Sequence, residues 1–170
     1  VKPRQRRIRQ DDVCARVQGP VVEDFASLFE QRWREANGDV PPADFATEHA
    51  YPDLELVGDT PDRDSLIEDR HRRAFQAAKK RIWIENAYFF PTESLLRDLH
   101  AAAARGVDVQ ILLPGESDLA ILRRAARSEY QAWCSSGLQV FEYRATMLHS
   151  KLALVDDTWC TVGSFNMNPT

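Results

Sequence analysis

Near the end of this 170-residue sequence, His149-Ser150-Lys151-Leu152-Ala153-Leu154-Val155-Asp156 is followed by Gly163-Ser164-Phe165-Asn166. In an extended strand alternate side chains share a face, so His149 and Lys151 are expected side by side. Leu152 and Leu154 then point the other way, to be buried against a helix layer. Asp156-Asp157 reads as a hairpin turn, and the returning strand would bring Ser164 and Asn166 level with the imidazole and the ammonium.

Such a set suits phosphoryl transfer. An imidazole can act near neutral pH as nucleophile or as proton donor. Charge developing on non-bridging oxygens needs fixed positive groups, which Lys151 and the Asn166 amide can supply. A carboxylate such as Asp156 can orient an imidazole and stabilise its protonated form. No cluster of metal-ligating residues accompanies them, so the expected route is covalent, with no metal or organic cofactor. The candidate catalytic residues are therefore His149, Lys151 and Asp156, and the candidate phosphate-binding residues are Lys151, Ser164 and Asn166.

The flanking pattern supplies the elements that must position these groups. Met147–Val155 reads as one strand and Trp159–Val162 as its hairpin partner. Further strands are expected at Arg81–Tyr88, Val107–Leu113 and Leu138–Tyr143, alternating with helices over 63–80, 93–105 and 119–135. Thr92 is placed to cap the second helix and Gly106 to stop it. This alternation predicts an α/β fold, a mixed and partly parallel sheet flanked by helices. Earlier in the chain, Val13–Gln18 reads as a short strand ended by Gly19-Pro20. Val22, Phe25, Leu28, Phe29 and Trp33 recur at helical spacing, so 21–36 is an amphipathic helix closed by Asn37-Gly38. Phe29 and Trp33 are expected in a core. Residues 39–62 hold Pro41, Pro42, Pro52, Pro61 and many acids, and read as a linker with a short strand at Leu54–Val57.

Composition narrows the class. A hydrophobic fraction of 44% can support a packed core. The net charge of −4 is unevenly spread. Lys2, Arg4, Arg6, Arg7 and Arg9 crowd the start, whereas residues 38–70 hold ten acids against Arg63 and Arg70. That distribution does not match a uniformly basic nucleic-acid binder. The basic run Arg70, Arg72, Arg73, Lys79, Lys80, Arg81 reads first as a solvated face, with anionic headgroups as the functional alternative. Cys14, Cys134 and Cys160 form no closely spaced pair and read as reduced thiols, Cys160 as a small core residue. His49, His71 and His100 lack a motif around them and read as surface or satisfied residues. No apolar run approaches the roughly 20 residues of a membrane-spanning helix. The first residue is Val1 rather than Met, so a natural start further upstream is expected.

His-x-Lys-x4-Asp followed by Gly-Ser-x-Asn resembles the signature of the phospholipase D superfamily. Ile84-Glu85-Asn86-Ala87-Tyr88-Phe89-Phe90-Pro91 and Arg105 through Gly115 with Ser117-Asp118 resemble bacterial cardiolipin synthases, as does Gln139–Tyr143. The resemblance covers residues 62–170 as a second half, and 12–37 as the end of a first. It implies a phospholipase D-like half-domain, incomplete at both ends. Residues 1–37 would close the first half, 38–62 would link, and 63–170 would carry the second. Members place two such motifs in one chain and build one active site between them. The partner half is thus expected in cis, or as a second copy. One histidine attacks phosphorus, by family usage that of the first motif. His149 would then serve as general acid/base, Lys151 and Asn166 would hold phosphate, Asp156 would support an imidazole, that of its own motif or of the other, and Ser164 would add a hydrogen bond. The implied activity is transfer of a phosphatidyl group from one phospholipid to a lipid alcohol such as phosphatidylglycerol, through a phosphohistidine, with a phosphatidylglycerol-like phospholipid as substrate. It would take place on an anionic membrane surface, peripherally at the cytoplasmic face. Two alternatives stand beside it: a single-motif homodimeric phosphodiesterase or nuclease, and an inactive lipid-binding fragment.

Overall fold

A computed structural model describes residues 10–41, 45–47, 49–51, 53–59, 66–116 and 120–168. In chain order the elements are β1 (Gln10–Asp11), α1 (Val21–Ala36), β2 (Phe45–Ala46), β3 (Val57–Gly58), α2 (Leu66–Ala77) and β4 (Arg81–Asn86). They continue with α3 (Glu93–Ala104), β5 (Asp108–Pro114), α4 (Ala120–Ser135), β6 (Gln139–Tyr143), β7 (Met147–Leu148), β8 (Lys151–Val155) and β9 (Trp159–Val162). The chain divides into two compact units, one of Ala15–His71 and one joining the stretch up to Cys14 with Arg72–Pro169.

In the larger unit, β6-β5-β4-β8-β9 form one sheet. β4, β5 and β6 run parallel, and β8 and β9 are added antiparallel. The α/β fold with a mixed sheet is therefore as expected. Ile82, Ile84, Val109, Ile111, Ala153 and Val155 lie on one face and pack with Leu95, Leu99, Trp133 and Phe75 from the helices. α3 shows why the sequence folds this way locally. Thr92 Oγ1 accepts the Leu95 N–H at 3.2 Å, and Leu95, Leu99 and Ala102 recur on one helical face. Gly106, at φ 88°, closes the helix, and the Val107 N–H bonds back to the Ala102 carbonyl at 3.1 Å.

Several expectations need correction. Residues 13–18 form no strand; the extended pair at this end is β1, which runs parallel to β7. The short strand in the acidic stretch is β3, paired with β2, while Leu54 makes only an isolated bridge to Tyr51. Met147–Val155 is two strands, interrupted at His149-Ser150. Ala153 and Val155, not Leu152 and Leu154, point into the helix-covered core, because Ala153 pairs with Ile84 and Val155 with Ile82. Lys151 thus lies on the helix side of the sheet. Cys160 pairs with Leu154 on the opposite face and is exposed. In the smaller unit, Phe29 and Trp33 are exposed on α1, their rings stacked at 6.2 Å.

Candidate active site

The interruption of the long strand makes the site. β1 pairs Asp11 with Leu148, and the His149 N–H donates to the Asp11 carbonyl at 2.8 Å. That ladder delivers the next residue, Asp12, to the imidazole. His149 Nδ1 lies 3.0 Å from Asp12 Oδ1 and 3.2 Å from Oδ2. A carboxylate accepts only, so Nδ1 carries the proton and Nε2 is the nitrogen left for chemistry.

Lys151 opens β8 opposite Asn86, and its Nζ donates to the His149 carbonyl oxygen. The kink at His149-Ser150 therefore joins the ammonium to the residue bearing the imidazole. Lys151 is half-buried, and loss of solvation pushes its pKa below the ordinary lysine value, against a weaker opposing pull from Asp12. Ser150 is buried within the kink, and its Oγ donates to Glu85 Oε2 at 2.7 Å.

After β9 the chain returns to the same end of the sheet. The Gly163 N–H donates to the Lys151 carbonyl at 3.2 Å. Asn86 is buried and grips the segment beyond: its Nδ2 donates to the Phe165 carbonyl, and its Oδ1 accepts the N–H groups of Tyr88 and Met167, each at 3.3 Å. Asn166 sits between those two anchored residues, half-buried, and its Oδ1 has no hydrogen-bond partner among the described residues. Ser164 is exposed.

Asp156 is not brought to the imidazole. It follows the last residue of β8, while His149 precedes the first, roughly 20 Å apart at strand spacing. Its carboxylate accepts the backbone N–H groups of Lys79, Lys80 and Arg81 at 3.0, 2.8 and 3.1 Å. These bonds, that from Arg81 first, hold its pKa below the usual carboxylate value. Asp156 also takes the left-handed conformation, at φ 53°, that the tight turn into β9 requires.

Asp12, Asn86 and the Ser150–Glu85 pair went unassigned in the sequence. Asp12 stood next to a second acid at the edge of a basic stretch, and Asn86 was a polar residue ending an apolar strand; both are weak signals. Tyr143, next to the motif, reaches Asp11 Oδ2 with its hydroxyl at 2.7 Å, and that bond raises its pKa. Of the aromatic trio at 88–90, Phe89 is buried, and all three border a crevice with Arg123 and Tyr130. His149 and Lys151 do not line it. Asp118 lies outside the described residues.

An imidazole–ammonium pair on a mixed α/β sheet is the class of site this chain presents. Residues 72–170 match the family described as cardiolipin synthase, PLD-like domain. Cardiolipin synthase B of Escherichia coli is 36% identical over 174 residues, covering 94% of this chain and 40% of that protein. Cardiolipin synthase A of Pseudomonas putida is 31% identical over 162 residues, covering 92% of this chain and 33% of its own length. Among solved structures, the phospholipase D family member Nuc of Salmonella typhimurium superposes with a TM-score of 0.48 at 27% identity, over 59% of this chain and 64% of that one. The chain belongs to the cardiolipin synthase, phospholipase D-like domain family. It spans about 40% of the length of the curated cardiolipin synthases B it matches.

Proposed function

We propose that this chain supplies one half of a phospholipase D-type active site that transfers a phosphatidyl group, as in cardiolipin synthesis. The observation that carries this reading is the Asp12–His149–Lys151 arrangement, an imidazole held at Nδ1 with an ammonium bonded to its own carbonyl. A histidine of the partner half attacks phosphorus, and the P–O bond to the leaving alcohol breaks. His149 Nε2–H gives its proton to that alcohol, and Asp12 stabilises the orientation and the charge. His149 then takes a proton from the incoming hydroxyl as that oxygen displaces the phosphohistidine. Lys151 and the Asn166 amide hold the non-bridging oxygens throughout. The lipid substrate is phosphatidylglycerol-like, and we place the reaction on an anionic membrane surface at its cytoplasmic face. Relatives with this region inside a much longer protein favour a partner half in cis over a homodimer.

The test is His149→Ala in the protein as the cell makes it, assayed for cardiolipin formation from phosphatidylglycerol vesicles. Turnover should fall by ~10²-fold or more. Unchanged turnover by a folded variant removes the assignment.

A further inference from the structure

We infer that Asn86 is a positioning residue that aims the Asn166 amide at the substrate phosphate. The inference rests on the phosphate-site reading above and concerns a residue outside the signature motif.

Asn86 is 1% exposed, at the end of β4 opposite Lys151 of β8. A buried amide in apolar surroundings is destabilising unless its hydrogen-bonding capacity is met. Three bonds engage both ends of the amide, and all three go to backbone groups: Phe165 O, Met167 N and Tyr88 N. Two of those groups are the carbonyl just before Asn166 and the N–H just after it. A single side chain thus clamps both peptide units flanking Asn166. The Phe90 N–H adds a bond to the Met167 carbonyl at 2.7 Å, fastening the same segment to the turn after β4. In the β4–β8 ladder, Asn86 is also the residue opposite Lys151. The two groups proposed to hold phosphate are therefore referenced to one buried side chain, Lys151 by register and Asn166 by its clamped backbone.

Asn166 itself shows what the clamp is for. Its terminal Oδ1 position is buried and has no protein partner among the described residues. A polar group held out of water with no partner is expected where a ligand is to supply one. Oxygen and nitrogen at an amide terminus exchange places by a half-turn of the side chain, so that position can present an N–H to a phosphate oxygen.

The experiment is a double-mutant cycle in the protein as the cell makes it, with phosphatidylglycerol vesicles as substrate. Asn86→Ala should lower kcat by ~10²-fold, the cost of one misplaced oxyanion donor, with KM changed far less. In an Asn166→Ala background the same substitution should change kcat by less than about 3-fold, because residues acting through one another are not additive. Asn86→Asp, of the same size, should recover activity at acidic pH, where a protonated carboxyl can again donate to Phe165 O. It should lose that activity as pH rises and the carboxyl ionises. Asn86→Asp also carries the test should Asn86→Ala fail to fold. Full activity of Asn86→Ala, equal losses in both backgrounds, or an Asn86→Asp profile shaped like that of the parent overturns the inference. A wild-type rate for Asn166→Ala overturns the phosphate-site reading, and this inference with it.

Discussion

Asp12 holds the position at the imidazole that the motif alone would give to Asp156. The two carboxylates are chemically alike, so substitution separates their roles. Asp12→Asn keeps shape but removes the charge facing His149 Nδ1, and should lower kcat by ~10²-fold or more with little change in melting temperature. Asp156→Asn should leave kcat per folded molecule close to that of the parent. Equal losses for both in a vesicle assay would return Asp156 to the site. Lys151 makes a second residue-scale prediction. Its pKa is lowered by burial, and its charged form is the one proposed to bind phosphate. As pH rises through that lowered value the charge is lost, so kcat/KM should decline below the ordinary lysine pKa of about 10.4. Lys151→Arg cannot deprotonate in this range and should lack the decline, although its different geometry lowers the plateau. An alkaline limb identical in both proteins would assign the titration to another group.

At the scale of elements, Asp156 braces the sheet. Its carboxylate gathers three successive N–H groups where the chain enters β4, and its own N–H returns a bond to the Arg81 carbonyl at 3.0 Å. Those bonds fix the β8–β9 turn against β4, and so the register that sets Lys151 opposite Asn86. Asp156→Asn should therefore lower the melting temperature. Because the folded pKa is depressed, the carboxylate stabilises fully above the unfolded value of about 3.9 and loses that contribution as pH falls through the folded value. Acid melts should be steeper for the parent than for Asp156→Asn, and parallel melts would contradict the brace. The helices and strands of this unit were legible because their apolar spacing is strong: Leu95, Leu99 and Ala102 on α3, and alternate burial along β4 and β5. The break at His149 was not legible, since it depends on a ladder to Asp11 far upstream; Asp12 and His149 are 137 residues apart. Nor could Lys151–Val155 reveal its covered face, being apolar on both. Ala153 faces the helices because the ladder pairs it with Ile84, an inward residue of β4.

As a whole, the chain offers one motif imidazole, while a phosphohistidine route with in-line departure needs a nucleophile and an acid on opposite sides of phosphorus. The sheet face opposite the helices also exposes Trp83, Phe141 and Val162, although parallel strands are ordinarily covered on both sides. Chemistry and packing both fit the proposed second half. The isolated 170-residue polypeptide should then bind inorganic phosphate weakly, seen as a shift of the His149 ring resonances, yet show no multiple turnover on phosphatidylglycerol vesicles. It should melt broadly and bind hydrophobic dyes. Activity that rises with the square of protein concentration would instead identify a homodimer that completes the site from two copies. Turnover strictly proportional to concentration, from a species of monomer mass, would mean that His149 suffices alone, and the requirement for a second imidazole would fall.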